Sequence, residues 1–283
     1  MRWVFLSDID GTLLRRDAPL TRGVRAAADA YTSCGGLLSL CTGRSLPAVR
    51  QTAAALGVNA PCIVYGGAAI YDFQQECFLY SRPFSWDVMP SVRSVLKEYP
   101  DVSMQLFTPE RVFVLRRNPR LDALGVQEEN TGPLSPPEAV TGAVLKLVMC
   151  CEEPSQLEQC RRFFPPEAFN FAFASRTFVD IVPAGFGKGE AVAQLSRLLD
   201  IPTSRFFGAG DAITDLPMLR SCAVSFAPEN ALEPVKAAVT HVIPDVRAGG
   251  MAAAFRMAAA RLKANLPSPV QTKSDTAQKI HIS

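Results

Sequence analysis

The chain has 283 residues and a formal charge of +2, with 29 basic and 27 acidic side chains. That length can bury a sizeable core in one large or two modest domains. The charge balance leaves no basic face for nucleic acid and no acidic tail, and no apolar run reaches the roughly 20 residues that span a bilayer.

The first third alternates strand and helix. "RWVFLSD" is an apolar run of the kind buried on both faces of a parallel sheet. "TRGVRAAADAYTSCGG" has helical composition and ends on paired glycines, and "LLSLCTGR" and "PCIVYGG" read as two more buried strands around the helix "LPAVRQTAAALG". From about Pro83 the texture changes. The helix "WDVMPSVRSVLKEY" leads to the paired strands "VSMQLFT" and "RVFVLRR", a Pro- and Gly-rich loop, the strand "VLKLVMCC", the helix "SQLEQCRRFF" and the strand region "FNFAFASRTFVDIVPA". Strands joined by short turns suggest an α+β insert with an antiparallel sheet. After Gly185 the first texture returns, through the helix "KGEAVAQLSRLL", the strand "RFFGAGD", the helix "LPMLRS", the strand "AVSFA", the helix "ALEPVKAAV", the strand "HVI" and the helix "GMAAAFRMAAARL". The last stretch reads as a loose tail.

Cysteines 34, 41, 62, 77, 150, 151, 160 and 222 show no CxxC spacing. Buried reduced thiols in a cytoplasmic protein are expected from them. The N-terminal stretch lacks a signal-peptide cleavage pattern. Zinc is not expected, because only His241 and His281 could join the thiols.

Ligands of parallel α/β sheets gather where the carboxyl ends of strands meet helix N-termini. Four such junctions carry polar groups. At the first, Asp8 and Asp10 would share one face of a strand about 7 Å apart. They repel each other, so a positive group between them or access to water is expected. Asp10 can also be read as the turn residue of an Asp-Gly pair, but Asp8 cannot. At the second, Thr42 and Gly43 can donate to an anion, and Ser45 is placed to cap the following helix. Arg44 there faces the positive end of a helix dipole, which a bound phosphate would reverse; an exposed surface arginine is the plainer reading. At the third, Lys188 begins a helix between glycines, with Glu190 as a possible partner, and the spacing is not that of a P-loop. At the fourth, Asp211 ends a strand and Asp215 is placed as an N-cap before "LPML". Three carboxylates with a Thr, a Lys and an Arg suggest a Mg2+-assisted phosphate site, since oxygen donors suit a hard cation.

In this order "DIDGTLL", "TGR", "GKGEA" and "GDAITD" resemble the four motifs of the haloacid dehalogenase (HAD) superfamily of phosphatases. The insert between the second and third motifs, with "DIVPAGFGKGEAV" and "APENALEPVKAAVTHVI", is similar to the C2-capped, Cof-type subgroup over roughly residues 3 to 262. The resemblance implies an α/β fold: a Rossmann-like parallel-sheet core from residues 1–82 and 185–265, an inserted α+β cap at 83–184 that sets substrate specificity, and a tail at 266–283. It implies Asp8 as nucleophile, Asp10 as general acid and base, and Mg2+ held by Asp8, the backbone carbonyl of Asp10 and Asp211. Thr42 and Lys188 would hold the phosphoryl group, with Gly43, Arg44, Thr214 and Asn230 as further phosphate or substrate contacts and Asp215 in support.

Three positions depart from the subgroup's pattern: Thr214 stands where Asn is usual, Gly66-Gly67 where Asn-Gly is usual, and Glu229 precedes Asn230 in place of Gly. The activity implied is Mg2+-dependent hydrolysis of a small phosphorylated metabolite, a sugar phosphate or phosphorylated cofactor, by a cytoplasmic monomer or weak homodimer without nucleic-acid or membrane partners. Two other readings stand beside it. A phosphomutase would share the same core, and a degenerate binding module would need neither Asp8 nor Asp10.

Overall fold

A computed structural model describes residues 2–15, 18–123 and 133–264. The expected tail at 266–283 lies outside the described residues. The chain opens with β1 (Val4–Ser7), α1 (Arg22–Ser33), β2 (Leu37–Leu40) and α2 (Leu46–Leu56). It continues through β3 (Cys62–Val64), β4 (Ala69–Asp72) and β5 (Cys77–Ser81). Then follow α3 (Met89–Glu98), β6 (Ser103–Phe107), β7 (Val112–Arg116), α4 (Pro119–Ala123), β8 (Lys146–Cys150) and α5 (Pro154–Cys160). The hairpin of β9 (Phe169–Ser175) and β10 (Phe178–Pro183) precedes α6 (Lys188–Leu199), β11 (Phe206–Ala209) and α7 (Leu216–Ser221). The last elements are β12 (Val224–Pro228), α8 (Glu233–Lys236), β13 (His241–Ile243) and α9 (Met251–Ala264).

The main sheet is parallel, in the order β13-β12-β11-β1-β2. Strand alternation divides its side chains between two apolar layers. Phe5 and Phe207 join Tyr31 and Phe255 on the face covered by α1 and α9, while Val4, Leu6 and Phe206 pack with Val192, Leu195 and Met218 of α6 and α7 on the other. Phe5 alone meets the rings of Phe207, Phe226 and Phe255 at centroid distances of 5.8, 5.8 and 4.6 Å. A strand covered on both faces has no room for an ionisable side chain, which is why the first one, Asp8, comes just past the end of β1.

A second sheet, in the order β7-β6-β8-β10-β9, is antiparallel. Its two faces differ. Met104, Leu106, Leu147, Met149, Val179 and Ile181 pack under α3 and α5. The alternate residues Gln105, Lys146, Val148 and Asp180 line a cavity shared with the main sheet's strand ends. A period of two thus supplies a core with one set of residues and a cavity wall with the other.

The strand "PCIVYGG" departs from its expected place in the parallel sheet. β3 runs parallel to β2 beside it, joined by the Cys41–Ile63 bridge, a Thr42 amide bond to the Ile63 carbonyl and a Leu40 amide bond to Cys62 Sγ, but forms no ladder with it and leads the antiparallel meander β3-β4-β5. Tyr65, Gly66 and Gly67 all have positive φ (54°, 69° and 108°), so the chain reverses at once and no crossover helix can follow. The β4–β5 hairpin was not legible in the sequence because its turn has no Gly. The Asp72 carboxylate accepts from the Gln74 and Gln75 amides instead, and Glu76 takes the left-handed position. The expected helix "ALEPVKAAV" contracts to the single turn of α8.

All eight cysteines are free thiols. Five are buried, but Cys77 is exposed, against expectation. No described helix is long and apolar enough to cross a membrane.

Candidate active site

From β1 the chain turns to β2 on one side of the main sheet, and from β11 to β12 on the other. The carboxyl ends of β1 and β11 therefore flank the crevice where connections diverge, the usual ligand position of such sheets. Asp8 follows β1 directly, and Asp211 follows β11 after the single residue Gly210. The loop between β1 and α1 is tight: the Gly11 amide donates to the Leu14 carbonyl, and Gly11 has φ +85°. A side chain at Gly11 would also collide with the Asp211 carboxylate, so both conformation and space require glycine there.

The two N-terminal aspartates do not share one cation. Lys188 Nζ donates to Asp8 Oδ1 at 2.7 Å, from the first residue of α6. Arg44 grips Asp10 with two bonds, Nε to Oδ2 at 2.8 Å and NH2 to Oδ1 at 2.7 Å. Each carboxylate has its own positive partner, and the fork-to-fork geometry fixes the plane of the Asp10 carboxyl. Arg44 is thus engaged by Asp10, where the sequence suggested an anion or a surface position.

Lys188 is also paired with Asp215. The other Asp215 oxygen accepts from the amides of Asp211 and Ala212, at 3.0 and 2.9 Å. Asp215 does hold the N-cap position of α7, as expected, but its carboxylate makes no capping bond to that helix and reaches back instead to the amides that precede it. Ser45 does hold the N-cap position of α2, but its hydroxyl makes no capping bond. Glu190, another partner considered for Lys188, lines the cavity and leaves the lysine to the aspartates.

Carboxylate oxygens of Asp8, Asp211 and Asp215 lie within 4.8 Å of one another. Burial pushes the Asp8 carboxyl well up, the Lys188 charge pulls it back, and Asp215, Asp211 and Asp10 push it up again. The Asp211 carboxyl is raised to about 6, first by burial and then by the Asp215 charge, with the Thr12 hydroxyl bond opposing. For Lys188 burial works downward, but the Asp215 and Asp8 charges exceed it and hold the ammonium protonated. Buried carboxylates crowded in this way, with oxygen as the only donor, fit a hard divalent cation.

Thr42 is buried at the end of β2, its hydroxyl accepting from the Arg44 amide at 3.2 Å. Asp8, Asp10, Thr42, Lys188, Asp211 and Thr214 all open on one cavity of about 510 Å3. Gly43, Arg44 and Asp215 line it as well. Asn230 does not. Its carboxamide donates to the Gly11 carbonyl at 2.7 Å and accepts from the Val246 amide at 2.9 Å, tying two loops together, and its exposed neighbour Glu229 is likewise outside the cavity. Gly66 has φ 69° and ψ 17°, a left-handed conformation that Asn and Gly both adopt, so this departure keeps the turn and loses only a side chain.

Three residues of the site escaped the sequence reading. Thr12 donates to Asp211 Oδ1 at 2.7 Å, and Lys146 and Asp180 pair at 2.9 Å on the facing sheet. The signal for the last two was present: each is a lone charge inside an otherwise apolar strand, which burial tolerates only with a partner.

A family model described as haloacid dehalogenase-like hydrolase matches residues 5–255. An HMP-PP phosphatase of Escherichia coli is 24% identical over 240 residues, covering 83% of this chain and 87% of that protein. A 5-amino-6-(5-phospho-D-ribitylamino)uracil phosphatase of Bacillus subtilis is 22% identical, covering 87% and 94%. Among solved structures, a sugar phosphatase of HAD subclass IIB superposes with a TM-score of 0.78 at 20% identity, covering 90% of this chain and 98% of its own. With the matched family model spanning nearly the whole described chain, the protein belongs to the haloacid dehalogenase-like hydrolases.

Proposed function

We propose that the protein is a Mg2+-dependent phosphatase of small phosphate monoesters, acting through an aspartyl-phosphate on Asp8. The observation that carries this reading is a buried carboxylate, 6% exposed, set beside Lys188 at the floor of a cavity of small-metabolite size. In the first half-reaction an Asp8 oxygen bonds to phosphorus, the ester oxygen leaves, and Asp10 gives it a proton. In the second, Asp10 takes a proton from water, whose oxygen bonds to phosphorus and releases Asp8 and inorganic phosphate. For the first transfer Asp10 must enter protonated, with one oxygen turned from Arg44 to the ester oxygen; for the second, the Arg44 fork orients the ionised carboxylate as base. Lys188 and the Thr42 hydroxyl stabilise charge on the transferring group. Asp8, Asp211 and the Asp10 carbonyl would hold Mg2+, which supplies charge neutralisation for the phosphoryl oxygens. Residues 83–184 form the cap, and the relatives' names support sugar or cofactor phosphates as the substrate class.

The test is inorganic phosphate release from a panel of phosphorylated metabolites, with Mg2+ and with EDTA. Turnover restricted to Mg2+ supports the reading, and equal turnover in EDTA contradicts it.

Two further results are expected. Thr214→Asn should change kcat/KM by less than about tenfold, since one hydroxyl on the cavity wall is exchanged for a carboxamide. Asp211→Ala removes a metal charge and should cost at least about two further powers of ten. Steady-state kinetics at saturating Mg2+ separate the two; an inert wild type made active by Thr214→Asn would point to a degenerate binder.

Mg2+ should also raise the unfolding temperature, by more near about pH 8 than near about pH 5. The folded Asp211 carboxyl titrates at about 6, above its unfolded value, so the folded state binds the extra proton. Without metal, that contribution to stability is present at low pH and lost as pH rises through about 6. Mg2+ binds the ionised form and restores what is lost. Equal shifts at both pH values, by scanning fluorimetry, would contradict the assignment.

A further inference from the structure

We propose that Lys146, held by Asp180, is a positioning residue that reaches from the second sheet to fix the Gly43 peptide and with it the Thr42–Arg44 loop. The proposal deepens the phosphatase reading and depends on it only for the kinetic readout.

Lys146 is 4% exposed, and its Nζ makes two contacts of opposite origin. One is the ion pair with Asp180 Oδ1 at 2.9 Å, inside the second sheet. The other is a bond to the Gly43 carbonyl at 2.7 Å, in the loop after β2 of the main sheet. Val148 pairs with Asp180 in the β8–β10 register, so Lys146 and Asp180 are diagonal neighbours on the cavity face. The Phe107 ring lies 5.3 Å from the ammonium.

Stability alone does not account for such a pair. A buried ion pair is on average no better than an apolar pair of the same volume. What an apolar pair could not supply is the bond to Gly43. The Gly43 oxygen, taken by Lys146, is committed away from an incoming phosphate. The peptide it belongs to joins Gly43 to Arg44, with Thr42 one residue before, and Arg44 holds Asp10. Gly43 also leaves room for the approach: a Cβ there would stand 3.1 Å from Asp180 Oδ2. Docking of the second sheet is thereby coupled to the placement of two groups that act on the phosphoryl transfer.

The experiment compares wild type, Lys146→Met and the double variant Lys146→Met/Asp180→Leu. It measures thermal unfolding, Mg2+-dependent hydrolysis of p-nitrophenyl phosphate, and hydrogen exchange of the peptide covering residues 41–50. Lys146→Met leaves the buried Oδ1 of the half-buried Asp180 without its partner and should lower Tm by about 6 °C or more. The double variant should recover most of that loss. Its kcat should nevertheless stay at least about tenfold below wild type, with KM moving less than about threefold, and the 41–50 peptide should exchange at least about tenfold faster. A double variant with wild-type kcat and wild-type exchange would overturn the proposal. If wild type releases no p-nitrophenol while exchange still responds as described, the phosphatase reading fails and the positioning role stands.

Discussion

Asp8→Asn is expected to lower phosphate release by more than about a thousandfold while leaving the fold in place. Asn has nearly the volume of Asp, and its carboxamide oxygen can still accept from Lys188. What it lacks is a nucleophilic oxygen and one charge for the metal. Burial already disfavours the ionised form of Asp8, so a neutral side chain removes a desolvation cost as well as an ion-pair gain. The unfolding temperature should therefore stay within a few degrees of wild type. Phosphate release and thermal unfolding on the same preparation check both halves. A variant that kept activity within tenfold of wild type would remove Asp8 from the chemistry.

Lys188→Met is expected to damage both activity and stability. The ammonium is 7% exposed between Asp8 and Asp215, and both carboxylates are themselves buried. Without it, two carboxylates remain in a dry site, a situation that costs about 3 to 5 kcal/mol when a buried pair is broken. The loss should depend on pH, and the sign follows from proton binding. Burial already raises the Asp8 carboxyl, and without the opposing Lys188 charge it takes up its proton at still higher pH in the folded state than in the unfolded one. The variant's stability must then fall as pH rises, so its deficit against wild type is larger near about pH 8 than near about pH 5. Urea unfolding at the two pH values measures this. A deficit that shrank toward high pH would mean that Lys188 is not the counter-charge of these aspartates.

Much of this arrangement was legible in the sequence because it rests on local chemistry. Asp8 and Asp211 had to lie past the ends of their strands, since a parallel strand buried on both faces admits no charge before it ends. The helix start at Lys188 and the strand end at Thr42 were visible for the same reason. Long-range pairing was harder to read. Nothing in the sequence around Arg44 reveals that its guanidinium reaches back to Asp10, 34 positions earlier, or that the Asn230 carboxamide serves the Gly11 loop and leaves the cavity alone. The meander after Val64 depends on a left-handed Tyr65, which no turn rule favours for a bulky residue. Lys146 and Asp180 were visible as lone charges in apolar strands, but their common partner, Gly43, was defined only once the two sheets had docked.

The central claim is that phosphorus is transferred to Asp8, and acid quench during turnover tests it most directly. Wild-type protein mixed with Mg2+ and a phosphate ester in steady-state turnover would be denatured in acid, digested and analysed by mass spectrometry. The account predicts that the peptide containing residues 3–15 gains the mass of one phosphoryl group, at Asp8, and that the Asp8→Asn protein gains none. A phosphoryl group carried on any other residue, with the Asp8 peptide unmodified while phosphate is being released, would contradict it.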